Sequence, residues 1–169
     1  MPTLLSGETP IQTEINPVHE DYRDLPIREG FDFNQIIRDV QDVRGNLVGR
    51  ALYLVVFRSK QSPNADPIEI EATDDAAYEE ASRSPELLSY FRGSVDQLSK
   101  RALSMCLWTS AKAAFEAVHG PDHQSAASRA PKFYGDGYSI EFYSIVPSDD
   151  GLVFVEHKHP QSHNVKENK

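Results

Sequence analysis

The sequence predicts an α+β domain: one antiparallel sheet built in the order β-α-β-β-α-β, with a further strand at its C-terminal end. Three observations carry that expectation. Ala51 to Phe57, ALYLVVF, is an almost unbroken β-prone run, the pattern of a strand covered on both faces. Leu103 to Trp108 is a second strand, with Leu103, Met105 and Leu107 on one face and Ser104, Cys106 and Trp108 on the other. From Tyr138 to Ile145, aromatic and aliphatic residues alternate with polar ones.

The elements follow in chain order. Residues 1 to about 30 scatter Pro, Glu, Asp and Thr with little apolar periodicity, so residues 1–48 read as an extended or partly disordered arm draped over the domain. Within it, Phe31 to Ile37 can form a short helix, because Phe33, Ile36, Ile37 and Val40 share one helical face. The folded domain spans 49–158 and a polar tail spans 159–169. After the first strand, QSPNADP is a loop by composition. Thr73 then reads as the N-cap of a helix reaching Arg83, stopped by Pro85. The aromatic content of Leu87 to Val95 favours a strand, with Asp96 to Lys100 turning into the next one. Continuation of the helix is the alternative there. Ala111 to His119 is helical by its alanines, Gly120-Pro121 breaks it, and Asp122 can cap a second piece from His123 to Ala130. Leu152 to His157 is the last strand.

Crossover helices bury one face of such a sheet and leave the other needing cover. A second copy commonly supplies it, so the expectation is a homodimer.

Composition narrows the function classes. The chain has 169 residues and a net charge of −9, which argues against sequence-independent nucleic-acid binding and against an anionic membrane surface. Cys106 is the sole cysteine, so no intrachain disulfide and no all-cysteine zinc site can form. Met1 to Gly7 lacks the basic start and apolar core of a signal peptide, and no apolar run approaches the roughly 20 residues of a membrane span. The expectation is a cytoplasmic protein that binds a small-molecule ligand, with no nucleic acid and no membrane among its partners.

The tract ending in Trp108, His123 after a proline, and then Tyr138 resemble the dimeric α+β barrel superfamily. Its members include antibiotic-biosynthesis monooxygenase-like proteins, stress-responsive barrel proteins and the olivetolic acid cyclase type. LYLVVFRS, DDAAYEEASRSPELLSYF and MCLWTSAKAAFEAVHGPDHQSAA are also similar to a fungal family within that group, over about residues 50–146. The resemblance implies a ferredoxin-like sheet, two of which close a barrel, and chemistry that needs no cofactor or metal. In the cyclase branch a histidine in a Pro-x-His setting works with a tyrosine as acid/base pair. Pro121-Asp122-His123 matches the histidine, but the tyrosine position falls on Ala117. Tyr53, Tyr90 or Tyr143 would have to replace it. The implied activity is proton transfer, such as cyclisation, isomerisation or dehydration, on a small apolar oxygenated metabolite of polyketide or terpenoid type. A cofactor-free monooxygenase and a non-catalytic ligand-binding dimer are the alternatives.

Each candidate residue has a functional and a plain reading. His123 is a general base facing the helix–sheet cleft, or a helix-terminal histidine packed on the protein. His119 either joins it or caps a helix end, where a cation is favoured. Trp108 walls a ligand pocket or is core; Cys106, lacking a flanking base, reads as a buried small hydrophobe. Tyr90 and Arg92 share a strand face suited to a carboxylate or enolate oxygen, or are a half-buried Tyr and a surface Arg. Glu141 and Tyr143 also share a face, with Glu141 either paired to a cation at the dimer interface or a pocket acid of raised pKa. His157, His159 and His163 lack an acidic or cysteine partner at ligand spacing and read as a charged tail. Asp74-Asp75 and Glu79-Glu80 read as the solvated face of the first crossover helix.

Overall fold

The computed structural model describes residues 12–158. His159, His163, the expected tail and the extreme N-terminus lie outside the described residues. The elements are α1 (Ile27–Gly30), α2 (Phe33–Arg44), β1 (Leu52–Lys60), α3 (Pro67–Ser82), β2 (Leu87–Arg92), β3 (Arg101–Trp108), α4 (Ala111–Ala117), α5 (Pro121–Tyr134), β4 (Tyr138–Ser148) and β5 (Gly151–His157). The strands form one sheet in the order β2-β3-β1-β4-β5, every pair antiparallel. This is the ferredoxin-like α+β arrangement, with β5 added as a hairpin on β4.

β1 is the middle strand of the five and is buried on both sides. Leu52, Leu54 and Val56 enter one core and Tyr53 and Val55 the other. The segment that could have continued the helix is a strand, β2, whose ladder to β3 shifts register between Leu87 and Ser89.

The crossover helices share one face, as expected. The opposite face, which sequence reasoning assigned to a second copy, is covered by the chain itself. Residues 12–47 lie across it: Ile15, Tyr22, Ile27, Phe31, Phe33, Ile36, Ile37, Val40 and Leu47 pack in one cluster with Leu54, Val56, Met105 and Ile145 of the sheet. The short helix extends to twelve residues. Asp32 caps α2 by accepting the Gln35 N–H at 3.2 Å, and Gly45, at φ 92°, ends it with its N–H on Gln41 O. Burying an Ile or Val side chain is worth about 1.5–3 kcal/mol, so the stripe of Ile36, Ile37 and Val40 is enough to hold α2 in place. A second copy is therefore not needed to cover this face.

α3 starts six residues before the expected Thr73. Pro67 occupies its first turn and the Asp66 side chain accepts the Ile68 N–H at 2.9 Å. Thr73 is buried inside the helix, its hydroxyl donating to Glu69 O at 2.9 Å. α5 likewise does not use Asp122 as its cap; Gly120 is the N-cap residue and offers no side chain. The capping group comes from α3. Glu80 reaches across, its Oε2 accepting the Asp122 N–H at 2.9 Å and its Oε1 the His123 N–H at 3.1 Å. A β-carbon at Gly120 would stand 2.2 Å from Glu80 Oε1, so only glycine admits this approach. At the other end of α5, Lys132 pairs with Glu69 at 3.0 Å.

Candidate functional site

The buried positions of α3 are Ile70, Thr73, Ala77 and Ala81. Asp74 lies in register with them, four residues after Ile70 and three before Ala77, so a carboxylate interrupts the apolar stripe that faces the sheet. Opposite it, alternation along β2 presents Tyr90 and Arg92, and β3 presents Ser104. Tyr134, in the last turn of α5, closes the side. Together these groups line a cleft of about 80 Å³.

The electrostatics of this cleft set it apart. Burial, moderated by the Arg92 charge and reinforced by Asp75, pushes the Asp74 carboxyl up to about 6. Its oxygens accept no hydrogen bond from the described residues. Burial, then the Cys106 thiol and the Asp74 charge, raises the Tyr90 phenol above its ordinary value. Burial and Asp74 do the same to Tyr134. Both phenols stay protonated donors near neutral pH, beside a carboxyl that titrates there. Tyr90 is held edge-on by Tyr78, ring centres 4.9 Å apart. Arg92 is drawn to the rim of the cleft by an ion pair with Asp75.

The other expected residues fall elsewhere. His123 is half-buried at the N-terminal end of α5, its Nδ1 2.8 Å from Glu80 Oε1. Eleven residues separate it from Tyr134, about 16 Å along the helix, and it does not line the cleft. Burial pushes the Glu80 carboxyl up, but hydrogen bonds from the Asp122 N–H and from the ring and N–H of His123 outweigh it and leave the group below the ordinary glutamate value. Glu79 is exposed, whereas Glu80 and Asp74 are half-buried, so the acidic face expected to be solvated is split. A hollow of about 260 Å³ between α3 and α4 is lined by Glu80, Ala113, Ala117 and Gly120. Ala117, where the cyclase-type tyrosine would fall, forms part of its wall.

Tyr53 and Trp108 are packed in the core between the sheet and α4. Tyr53 stacks on Phe142 and on His157, and His157 Nε2 lies 2.7 Å from Ser144 Oγ. Cys106 sits against the same core, where burial pushes its thiol up to about 11 despite a hydrogen bond from Trp108. His119 lies just past the end of α4, its Nδ1 2.8 Å from Phe115 O. Glu141 and Tyr143 share the arm-side face, away from the cleft: the Tyr143 hydroxyl donates to Glu141 Oε1 at 2.7 Å, and Glu141 Oε2 takes Arg58 Nε at 2.5 Å. Glu141 is thus paired to a cation, under the chain's own arm. Glu141 borders a wider groove of about 850 Å³, whose Arg58 and Arg101 are matched by Glu141 and Asp24. Among the described residues, no three His, Cys, Asp or Glu side chains converge to hold a metal ion.

Of the expected site, then, the fold brings together Tyr90 and Arg92 and adds Asp74 and Tyr134. The signal for Asp74 was the stripe of residues 70, 74, 77 and 81, legible once the helix is begun at Pro67.

Comparison with known proteins places the fold. The model of the PB2B2.08-like family matches residues 11–157, the arm included. No curated protein matches the sequence. Among solved structures, a conserved protein from Methanosarcina mazei Go1 superposes with a TM-score of 0.50 at 10% identity, over 56% of this chain and 93% of that one. Rv0793 from Mycobacterium tuberculosis gives 0.49 at 15% identity, over 58% and 96%. SnoaB, a cofactor-independent oxygenase from Streptomyces nogalater, gives 0.44 at 15% identity, over 66% and 99%. At these identities the likeness is one of fold alone. No helix among the described residues is long and apolar enough to cross a membrane.

Proposed function

We propose that this chain, which belongs to the PB2B2.08-like family, binds a small oxygenated molecule in the Asp74 cleft and moves a proton on it without a cofactor. One observation carries the reading: a half-buried carboxyl with a pKa of about 6, lacking a hydrogen-bond donor, faces two protonated phenols. A base whose pKa lies near the working pH is the most efficient proton acceptor. Tyr90 and Tyr134 are placed to donate to an enolate oxygen as it develops, and Arg92 to balance its charge. Asp74 takes the role that the family resemblance gives to His123, whose Nδ1 is engaged by Glu80.

The volume of about 80 Å³ supports a compound of a few heavy atoms, or the reactive end of a larger one. The same small volume favours a second reading, a protein that holds a ligand without turning it over. Hydroxyacetone in D2O separates the two. Catalysis predicts faster loss of its C–H proton signals with the wild-type chain and no acceleration with Asp74→Asn. Probe binding without exchange would leave the binding reading. Oxygen uptake with a phenolic probe would point to the monooxygenase variant instead.

A further inference from the structure

We propose that β5 is a self-pairing edge, which joins two copies of this chain side by side into one continuous ten-stranded sheet. β5 is the last strand of the sheet order and has β4 as its neighbour on one side only. On the helix side of the sheet, beyond Phe142 and the Ser144–His157 pair, Ile140 of β4 and Val153 and Val155 of β5 stay 47, 52 and 45% exposed. Natural sheet edges are blunted by proline, inward charge or a bulge. Residues 151–157, GLVFVEH, carry no proline and no bulge, and their single charge is Glu156 near the strand's end.

The sequence of β5 also fits its own antiparallel copy. The two-residue turn Asp149-Asp150 sets Ser148 opposite Gly151. Ladder alternation then leaves the N–H and C=O groups of Leu152, Phe154 and Glu156 on the free edge. With the two-fold axis at Phe154, Leu152 meets Glu156 of the partner subunit and Val153 meets Val155 of the partner subunit. The valines form the pair without hydrogen bonds, where side chains approach most closely. Asp150 then faces Lys158 of the partner subunit, twice by symmetry. Shifting the axis to Val153 would set Asp150 against the partner's Glu156, so charge selects the first register. The other route to a dimer, through the sheet face opposite α3–α5, is closed by residues 12–47.

Sedimentation equilibrium on the full chain tests this. The expected result is a dimer of the 19.0 kDa chain, made monomeric by Val155→Lys with an unchanged circular dichroism spectrum. Asp150→Lys should weaken association about tenfold, and adding Lys158→Asp should restore it. A wild-type chain that stays monomeric to 100 μM, a dimer indifferent to Val155→Lys, or a double swap that fails to rescue would each overturn the proposal.

Discussion

Asp74 and Glu80 stand on one helix, less than two turns apart, and the fold treats them in opposite ways. Glu80 has its oxygens filled by the Asp122 and His123 N–H groups and the His123 ring, and its pKa falls. Asp74 accepts no hydrogen bond from the phenols beside it or from any other described residue, and its pKa rises to about 6. Burial opposes the charged form at both positions; the supply of donors decides the sign. A carboxylate that caps a helix supports the structure. One that lacks a donor costs stability, and such groups cluster where chemistry is done.

The contrast can be broken at either end. The largest effect is expected from Glu80→Ala, which strands two backbone N–H groups and the His123 ring. Loss of about 3 kcal/mol in a urea titration is the predicted result; a loss under about 1 kcal/mol would mean that water replaces the cap. Asp74→Asn should act in the opposite direction. A rise from 3.8 to about 6 corresponds to about 3 kcal/mol of destabilisation above pH 6. Solvent at the cleft mouth reduces the expected gain to about 2 kcal/mol at pH 8, alongside loss of proton exchange on hydroxyacetone.

Scanning pH in the wild-type chain sharpens the comparison. Between about pH 4 and 6 the folded state binds more protons at Asp74 than the unfolded chain does, so stability falls as pH rises through that window. Glu80 contributes stability above its ordinary pKa of 4.5, and that contribution disappears as pH falls through its lower folded value. Urea midpoints should therefore peak near pH 4–5. Asp74→Asn should flatten the neutral-side slope and Glu80→Ala the acid-side one. The smallest effect is expected from His123→Ala. It removes the ring contact to Glu80 while both N–H caps persist, costing about 1 kcal/mol and leaving proton exchange on hydroxyacetone intact. Loss of exchange in that variant would return the acid/base role to His123.

The sheet was legible because strands that are buried on both faces announce themselves, as ALYLVVF does, and because Gly120-Pro121 marks a helix junction. The cover of the far face was only half legible. Phe33, Ile36, Ile37 and Val40 predict an amphipathic helix, but nothing in their spacing says which surface it meets, and a second copy satisfies the same apolar demand. Asp74 was missed for a local reason. Starting α3 at Thr73 leaves Ile70 out of the helix, and without Ile70 the carboxylate has no apolar stripe to interrupt. The Glu80 cap joins positions about forty residues apart and depends on a missing β-carbon at Gly120, so no short-range pattern could reveal it.

The arm across the sheet has a consequence for how the molecule comes into being. Residues 12–47 leave the ribosome before the sheet, yet the surface they settle on includes Ile145 of β4, more than ninety positions later. Their greasy side must wait, exposed, until β4 has been made, and closing so long a loop slows folding. A shortened gene that begins at the first strand would escape that wait, but its product would emerge with a bare wall of leucine, valine and methionine and would be expected to aggregate.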